Sequence, residues 1–444
     1  MKLYSENEFY KLYQGSMLDM LEVIQPESID SIITDPPYEL NFMNKGWDNS
    51  GIAFQPDTWE KCYKVLKPGG YLLAFGGSRT FHRIACAIED VGFEIRDTIM
   101  WLYGSGFPKS MNIGLAIDKK NGVDNRTGNI KTDGKATNSG SGCYNCNNGK
   151  DNSMKQEYEE RIAQNKWKGW GTALKPSFEP IIVARKPFKG SLVDNVIEYG
   201  VGGINIDECR VENGTNKDIE FTATGRFPAN TILTYDDNNY NEVCGGFPDT
   251  KSGKNGIRKS DGFNVNDYGK GIGIKAGMNN GEYGDSGSAS RYFYCAKASK
   301  KDRDEGLDNF EDKEYILGCN GSTLDNIREK GHYGNGGNGL LTIKIRKNTH
   351  PTVKPTELMQ YLVRLVSPDG ATILDCFSGS GSTGKAVMYE NKERNKNYKY
   401  IGIELTEEYL PISKARIEYA IDSNIKSEKE KKEGENQTTI FDFI

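Results

Sequence analysis

Ala371-Thr372-Ile373-Leu374-Asp375 runs into Cys376-Phe377-Ser378-Gly379-Ser380-Gly381-Ser382, and after a stretch of helical character Lys399-Tyr400-Ile401-Gly402-Ile403-Glu404 follows. Strand, glycine turn, helix and strand form one βαβ unit, in which the helix carries the chain back so that the strands lie parallel. The glycines let the backbone approach a ligand closely, and the next helix presents its N-terminus. Glu404 ends the second strand, where such a unit sets an acid against ribose hydroxyls. Together these features point to a nucleotide-like cofactor. Gly379 to Lys385 also has the spacing of a phosphate-binding loop, but Ala386 stands where Ser or Thr must ligate magnesium, which argues against an ATPase.

Further strands read outward from this unit. Ile29–Thr34 ends at Asp35-Pro36-Pro37, Gly70–Phe75 at Gly76-Gly77, Phe93–Tyr103 at Gly104, and Glu179–Lys186 at Pro187; the last two suit an antiparallel edge. With Tyr10 to Leu21 as a further strand and turn, seven strands predict an α/β fold, a mostly parallel Rossmann-like sheet covered by helices on both faces. One domain is thus written in two pieces. Between them, residues 120–153, 250–290 and 318–339 are dense in Gly, Asn, Ser and Asp and predict long loops.

At 444 residues the chain is long enough for two lobes, and its 51 glycines concentrate in the middle. The net charge of -5 is unevenly spread: residues 104–200 carry 15 Lys and Arg against 10 Asp and Glu, which permits a nucleic-acid face there. The chain lacks a run of about 18 apolar residues, and its first residues lack a signal-like pattern, so a cytoplasmic location is expected. Nine cysteines without framework spacing suit reduced thiols. The lone Cys143/Cys146 pair is read as loop cysteines, and no metal is expected.

Asp35-Pro36-Pro37-Tyr38 follows an apolar strand, at the sheet end that carries functional groups. An exocyclic amino nitrogen is a poor nucleophile because its lone pair is delocalised into the ring. A site must therefore draw it toward tetrahedral geometry with acceptors for both N–H bonds. Asp35 offers a carboxylate, Pro36 a carbonyl, and two prolines, Pro36 and Pro37, hold both aimed at one point. Tyr38 adds a flat face for a base swung out of the duplex.

These signals together resemble the amino-group DNA methyltransferases, in the circularly permuted order where the catalytic half precedes the cofactor half. His350-Pro351-Thr352-Val353-Lys354-Pro355 is similar to the family's segment before the cofactor loop. Leu374 to Gly381 is similar to the loop itself, with Cys376 where Pro is usual. Leu66-Lys67-Pro68-Gly69-Gly70 and Gly76-Gly77-Ser78-Arg79 also look like family segments. The resemblance covers roughly residues 9–110, 167–187 and 349–419.

It implies a seven-stranded methyltransferase sheet with a loop-rich target-recognition insert. The domains expected are a catalytic half at 1–187, with a loop insert at about 104–166, a recognition insert at 188–345, a cofactor half at 346–421 and a charged tail at 422–444. It assigns Asp35, Pro36, Pro37 and Tyr38 to the target base, and Asp375, Phe377, Gly379, Ser380, Gly381, Glu404, Lys354 and Ser16 to S-adenosylmethionine. Gly15-Ser16 replaces the family's usual Gly-Asp, with Asp19 as a substitute carboxylate. Lys109, Trp167, Trp170, Arg226 and Phe227 are candidate contacts to double-stranded DNA, with core packing the competing reading for the aromatics. Gln437, Ile440, Phe441 and Phe443 resemble a sliding-clamp docking peptide, against packing on the parent domain.

The activity expected is site-specific methylation of adenine N6 in DNA, as in restriction-modification systems. N4 of cytosine is the near alternative. RNA or protein-glutamine methylation, or a catalytically silent DNA-binding protein, is the more distant one.

Overall fold

The computed structural model describes residues 2–40, 48, 50–104, 110–123, 126–131, 158–211, 225–235, 247–251, 286–297, 300–317 and 342–423. Two compact units emerge, one of Met1–Ser105, Phe178–Gly306 and His350–Ile444, the other of Gly106–Ser177 and Leu307–Thr349.

Ten strands build the sheet of the first unit: β1 (Lys2–Glu6), β2 (Tyr10–Gln14), β3 (Ile29–Thr34), β4 (Leu66–Phe75), β5 (Glu94–Tyr103), β6 (Phe178–Arg185), β7 (Thr231–Tyr235), β8 (Tyr294–Lys297), β9 (Thr372–Asp375) and β10 (Lys399–Glu404). Their order is β1-β2-β10-β9-β3-β4-β6-β5-β7-β8. The seven strands expected from sequence form the contiguous middle, from β2 to β5. Within it all pairings are parallel except those of β6, which is antiparallel to both β4 and β5.

Three strands extend that middle. β1 folds back on β2, while β7 and β8 add parallel strands beyond β5, so the β5–β6 pair forms as expected but is not an edge. The described residues between 188 and 306, a stretch assigned from sequence to the recognition insert, group with the first unit.

Alternation along the strands explains why both faces are covered. In β4, Leu72 and Ala74 enter one core while Tyr71, Leu73 and Phe75 enter the other; Ile32 and Ile33 of β3 divide likewise. The first core is completed by Met17 and Met20 of α1 (Met17–Met20), Trp59 and Cys62 of α2 (Pro56–Val65), and Ile84 and Ile88 of α3 (Phe81–Asp90). The second is completed by Leu358 and Leu362 of α4 (Thr356–Val366), Ala386 and Val387 of α5 (Ser382–Arg394), and Leu410 and Ile417 of α6 (Leu410–Asp422). Trp59 is fully buried, and its indole donates to the Ala53 carbonyl at 2.9 Å, so its polar atom is satisfied.

In the second unit the helix Ile113–Lys120 is capped by Asn112, whose side chain accepts from Leu115 N at 3.1 Å. Gly114 lets Ala163 approach; an added Cβ would stand 2.6 Å from the Ala163 Cβ. Asp118 takes the Gln164 amide at 2.7 Å and the Asn165 side chain at 2.5 Å. Arg126–Lys131 pairs with Tyr158–Arg161, and Lys313–Leu317 with Thr342–Arg346, both antiparallel. Among the described residues no helix is long and apolar enough to cross a membrane.

Candidate active site

β3 and β9 lie side by side, and from them the sheet runs to β4 on one hand and β10 on the other. That makes the space beyond their carboxyl ends the topological switch point, where doubly wound sheets bind ligands. β3 delivers Asp35-Pro36-Pro37-Tyr38 there, and β9 delivers the glycine turn.

Asp375 closes the seam between them. Its Oδ1 accepts from Thr34 Oγ1 at 2.7 Å and from Phe377 N at 3.1 Å, and its Oδ2 from Thr383 Oγ1 at 2.6 Å. Burial still pushes this carboxyl up to about 6. Expected from sequence at the cofactor, Asp375 has both oxygens engaged within the protein, fixing catalytic strand, turn and following helix to one another.

Asp35 Oδ2 pairs with Lys354 Nζ at 2.6 Å, whereas its Oδ1 is buried with no hydrogen-bond partner among the described residues. Lys354 Nζ also lies 3.5 Å from Glu179 Oε2, and 5.4 Å and 5.0 Å from the ring centroids of Tyr38 and Phe75. Glu179 accepts from the Tyr38 hydroxyl at 2.7 Å and from the Tyr103 hydroxyl at 3.3 Å. Burial raises the Asp35 carboxyl against the pull of Lys354. Burial pulls the Lys354 ammonium down, but Asp35 and Glu179 outweigh it and hold it above its ordinary value. The Tyr38 hydroxyl is driven well up by burial and by both carboxylates, so it stays a neutral donor.

Lys354, expected at the cofactor, thus sits on the candidate catalytic carboxylate. Glu179 was missed by sequence reasoning: a lone acid in strand β6 carries no local signal, and only the pairing of β6 with β5, which sets it opposite Trp101, brings it into the site.

The chain after Tyr38 is held in turn. The Tyr38 carbonyl accepts from Thr80 Oγ1 at 2.8 Å, and the Glu39 and Leu40 amides donate to Asp48 at 3.0 and 3.2 Å. Glu39 has φ 54°, in the left-handed region a non-glycine residue rarely adopts.

In the glycine turn, Gly379 and Gly381 take φ 52° and 73°. A Cβ on Gly381 would stand 2.5 Å from Ser413 Oγ, so no larger residue fits without displacement. Glu404 Oε2 accepts from Gly379 N and its Oε1 from Thr406 N, both at 2.7 Å, and burial raises its carboxyl. Each oxygen keeps further acceptor capacity, a pattern suited to a diol. Ser16 caps α1, accepting from Leu18 N at 3.2 Å; beside it Gly15 N donates to the Glu404 carbonyl at 3.0 Å. Asp19 lies in the first turn of α1.

Lys385, the residue that imitates a phosphate-loop lysine, is fully buried and ion-paired with Asp302 at 2.6 Å and Glu305 at 2.8 Å. Arg416, also fully buried, donates to the Ser380 carbonyl at 2.9 Å, to Ser380 Oγ at 3.1 Å and to Ser382 Oγ at 3.0 Å. A second Arg416 nitrogen lies 3.8 Å from Asp302 Oδ1. Burial works against ionised Asp302, but Lys385, the Thr356 hydroxyl and Arg416 outweigh it and hold its carboxyl below the ordinary value. Arg416 therefore braces the turn from within, and Asp302 links it to Lys385.

The candidate DNA contacts are divided. Trp167 and Trp170 belong to the second unit and meet edge to face, with centroids 5.1 Å apart and 58% of Trp170 exposed. Arg226 and Phe227 belong to the first unit, where Arg226 pairs with Val211 through both backbone groups and Phe227 is exposed. Lys109, the Cys143/Cys146 pair, and Gln437, Ile440, Phe441 and Phe443 lie outside the described residues.

The sequence profile of an N6/N4 DNA methylase family matches residues 29–415. A type II methyltransferase of Haemophilus influenzae, M.HindIII, is 26% identical over 153 residues, 34% of this chain and 37% of that protein. One of Lactococcus lactis subsp. cremoris, M2.LlaDCHI, is 32% identical over 120 residues, 22% of this chain and 44% of that one. The matched stretches thus span less than half the length of these relatives. Among solved structures, the PvuII DNA methyltransferase (cytosine-N4-specific) aligns over 97% of this chain and 94% of its own, at 15% identity and a TM-score of 0.40.

Proposed function

The chain belongs to the N6/N4 DNA methylase family, and on that premise we propose that it transfers a methyl group from S-adenosylmethionine to the N6 amino group of adenine in double-stranded DNA. The observation that carries this reading is the seam: Asp35-Pro36-Pro37-Tyr38 and the glycine turn end adjacent parallel strands, locked together by the Thr34–Asp375 hydrogen bond.

The residues present fit the cofactor. Glu404 has acceptor capacity left for ribose hydroxyls, and Gly379 and Gly381 of the turn take left-handed conformations that keep side chains out of the way of a ligand. When bound, S-adenosylmethionine supplies a methyl group activated by sulfonium sulfur.

The chain's own residues do the rest. Asp35 Oδ1 and the Pro36 carbonyl accept the two N–H bonds of the flipped base, and the Tyr38 ring is its platform. As the nitrogen lone pair forms the new N–CH3 bond and the sulfur keeps the electrons of the breaking bond, positive charge grows on nitrogen. Asp35 stabilises that charge and accepts a departing amino proton at Oδ1. The second unit is assigned the reading of DNA sequence, with Trp167 and Trp170 as candidate contacts.

The test is to incubate the protein with unmodified DNA and labelled S-adenosylmethionine, digest to nucleosides and identify the methylated one by mass. N6-methyladenine, absent with Asp35→Ala, is the expected result. N4-methylcytosine would keep the chemistry and change the base. No DNA product under conditions of cofactor binding would overturn the assignment.

A further inference from the structure

Asp35 meets the target base in an awkward state, because the carboxylate that must stabilise a growing positive charge is already paired with Lys354 at 2.6 Å. The ammonium holds Oδ2 and leaves Oδ1 to the substrate, but its charge offsets the negative field the reaction needs at Asp35. The structure offers a second acceptor. Glu179 Oε2 lies 3.5 Å from the same Nζ, so a displacement of about 1 Å would bring the two to hydrogen-bond distance.

We propose that Glu179 is a positioning residue for methyl transfer: when the target amino group reaches Asp35, the Lys354 ammonium moves over to Glu179, leaving Asp35 to face the base as an anion. This rests on the amino-methyltransferase reading above.

Charge arithmetic supports the assignment. Asp35 and Glu179 carry two negative charges against one on Lys354, so the trio is left with a net -1. Tyr38 and Tyr103, which donate to Glu179, are neutral phenols. Asp375, the other titratable group beside Asp35, has its oxygens occupied by Thr34, Thr383 and the Phe377 amide. One positive charge developing on the target nitrogen therefore neutralises the trio. Without Glu179 the trio would begin neutral and end cationic. The two phenols also fix the Glu179 carboxylate, and the one from Tyr38 ties the same acid to the ring expected under the base.

Glu179→Gln tests this directly: the amide oxygen still accepts from Tyr38, the amide nitrogen that replaces the other oxygen can donate to the Tyr103 hydroxyl, and the charge is lost. The expected result is a fall in kcat of about tenfold or more, with the melting temperature and the dissociation constants for S-adenosylmethionine and duplex DNA little changed. A residue of merely structural importance would not show the next effect: adding Lys354→Met to Glu179→Gln restores the net -1 and should recover much of the lost kcat.

An unchanged kcat in Glu179→Gln, or a loss that Lys354→Met does not recover, overturns the proposal. Should Glu179→Gln fail to fold, Glu179→Asp takes its place: the shorter acid keeps its charge but stands farther from Nζ, so kcat should fall, and an unchanged kcat overturns the idea. Absence of transfer by the unaltered protein overturns the underlying function as well, which separates the two failures.

Discussion

Asp35 differs from most buried carboxylates in ion pairs, because its cation has an alternative partner 3.5 Å away. Deleting a partner from a buried pair ordinarily strands a charge and costs several kcal/mol of stability. Here Asp35→Ala leaves Lys354 facing Glu179, so catalysis should suffer far more than folding. By analogy with deleted oxyanion donors, kcat is expected to fall about 10²- to 10³-fold, or about 2.7–4 kcal/mol of barrier. Single-turnover methylation measures that loss, and a thermal melt beside it should show a small shift. The same contrast explains why Asp35 and Tyr38 could be picked from the sequence and Glu179 could not. The first two share a four-residue turn whose chemistry is local, while the contacts of Glu179 are with Tyr38 and Tyr103, 141 and 76 residues away, and with Lys354.

Two predictions belong to the elements. Gly381 has φ 73° and no room for a Cβ beside Ser413, so Gly381→Ala should destabilise the protein by about 1–3 kcal/mol and weaken cofactor binding, measured by urea unfolding and calorimetric titration. Asp375, at the end of β9, predicts a pH dependence. Its carboxyl is raised from 3.8 to about 6 in the fold, so the folded state holds the proton more tightly than the unfolded chain does. The resulting stabilisation is complete below about pH 3.8 and disappears as pH climbs through 6, leaving the buried anion to cost on the order of 3 kcal/mol at neutral pH. The unfolding free energy of the protein relative to Asp375→Asn should therefore fall between pH 4 and pH 7; a flat difference in urea titrations would refute it. Strands such as β3, β4 and β9 announce themselves through short apolar runs that end in Pro or Gly. β7, Thr231–Tyr235, and β8, Tyr294–Lys297, are short, and their place is decided by parallel pairing, β7 with distant β5 and β8 with β7.

At the scale of the whole molecule, Asp302 links segments far apart in sequence. It stands in the helical turn Lys300–Asp304, before the second stretch of the second unit, yet its carboxylate joins Lys385 of α5, the Thr356 amide that begins α4, and Arg416 of α6. Asp302→Ala leaves Lys385 with Glu305 and Arg416 with its serine acceptors but strips the Thr356 amide and hydroxyl of their acceptor, and a loss of about 1–3 kcal/mol is expected in urea unfolding. Lys385 shows how a local motif misleads, since its spacing imitates a phosphate loop while its partners lie 80 or more residues upstream.

The Thr34–Asp375 hydrogen bond spans 341 residues. At the pace of about 5–20 residues per second typical of synthesis, the Asp35 turn is made on the order of 20–70 s before the glycine turn it is bonded to. A stalled or truncated polypeptide would thus carry only one side of the candidate site.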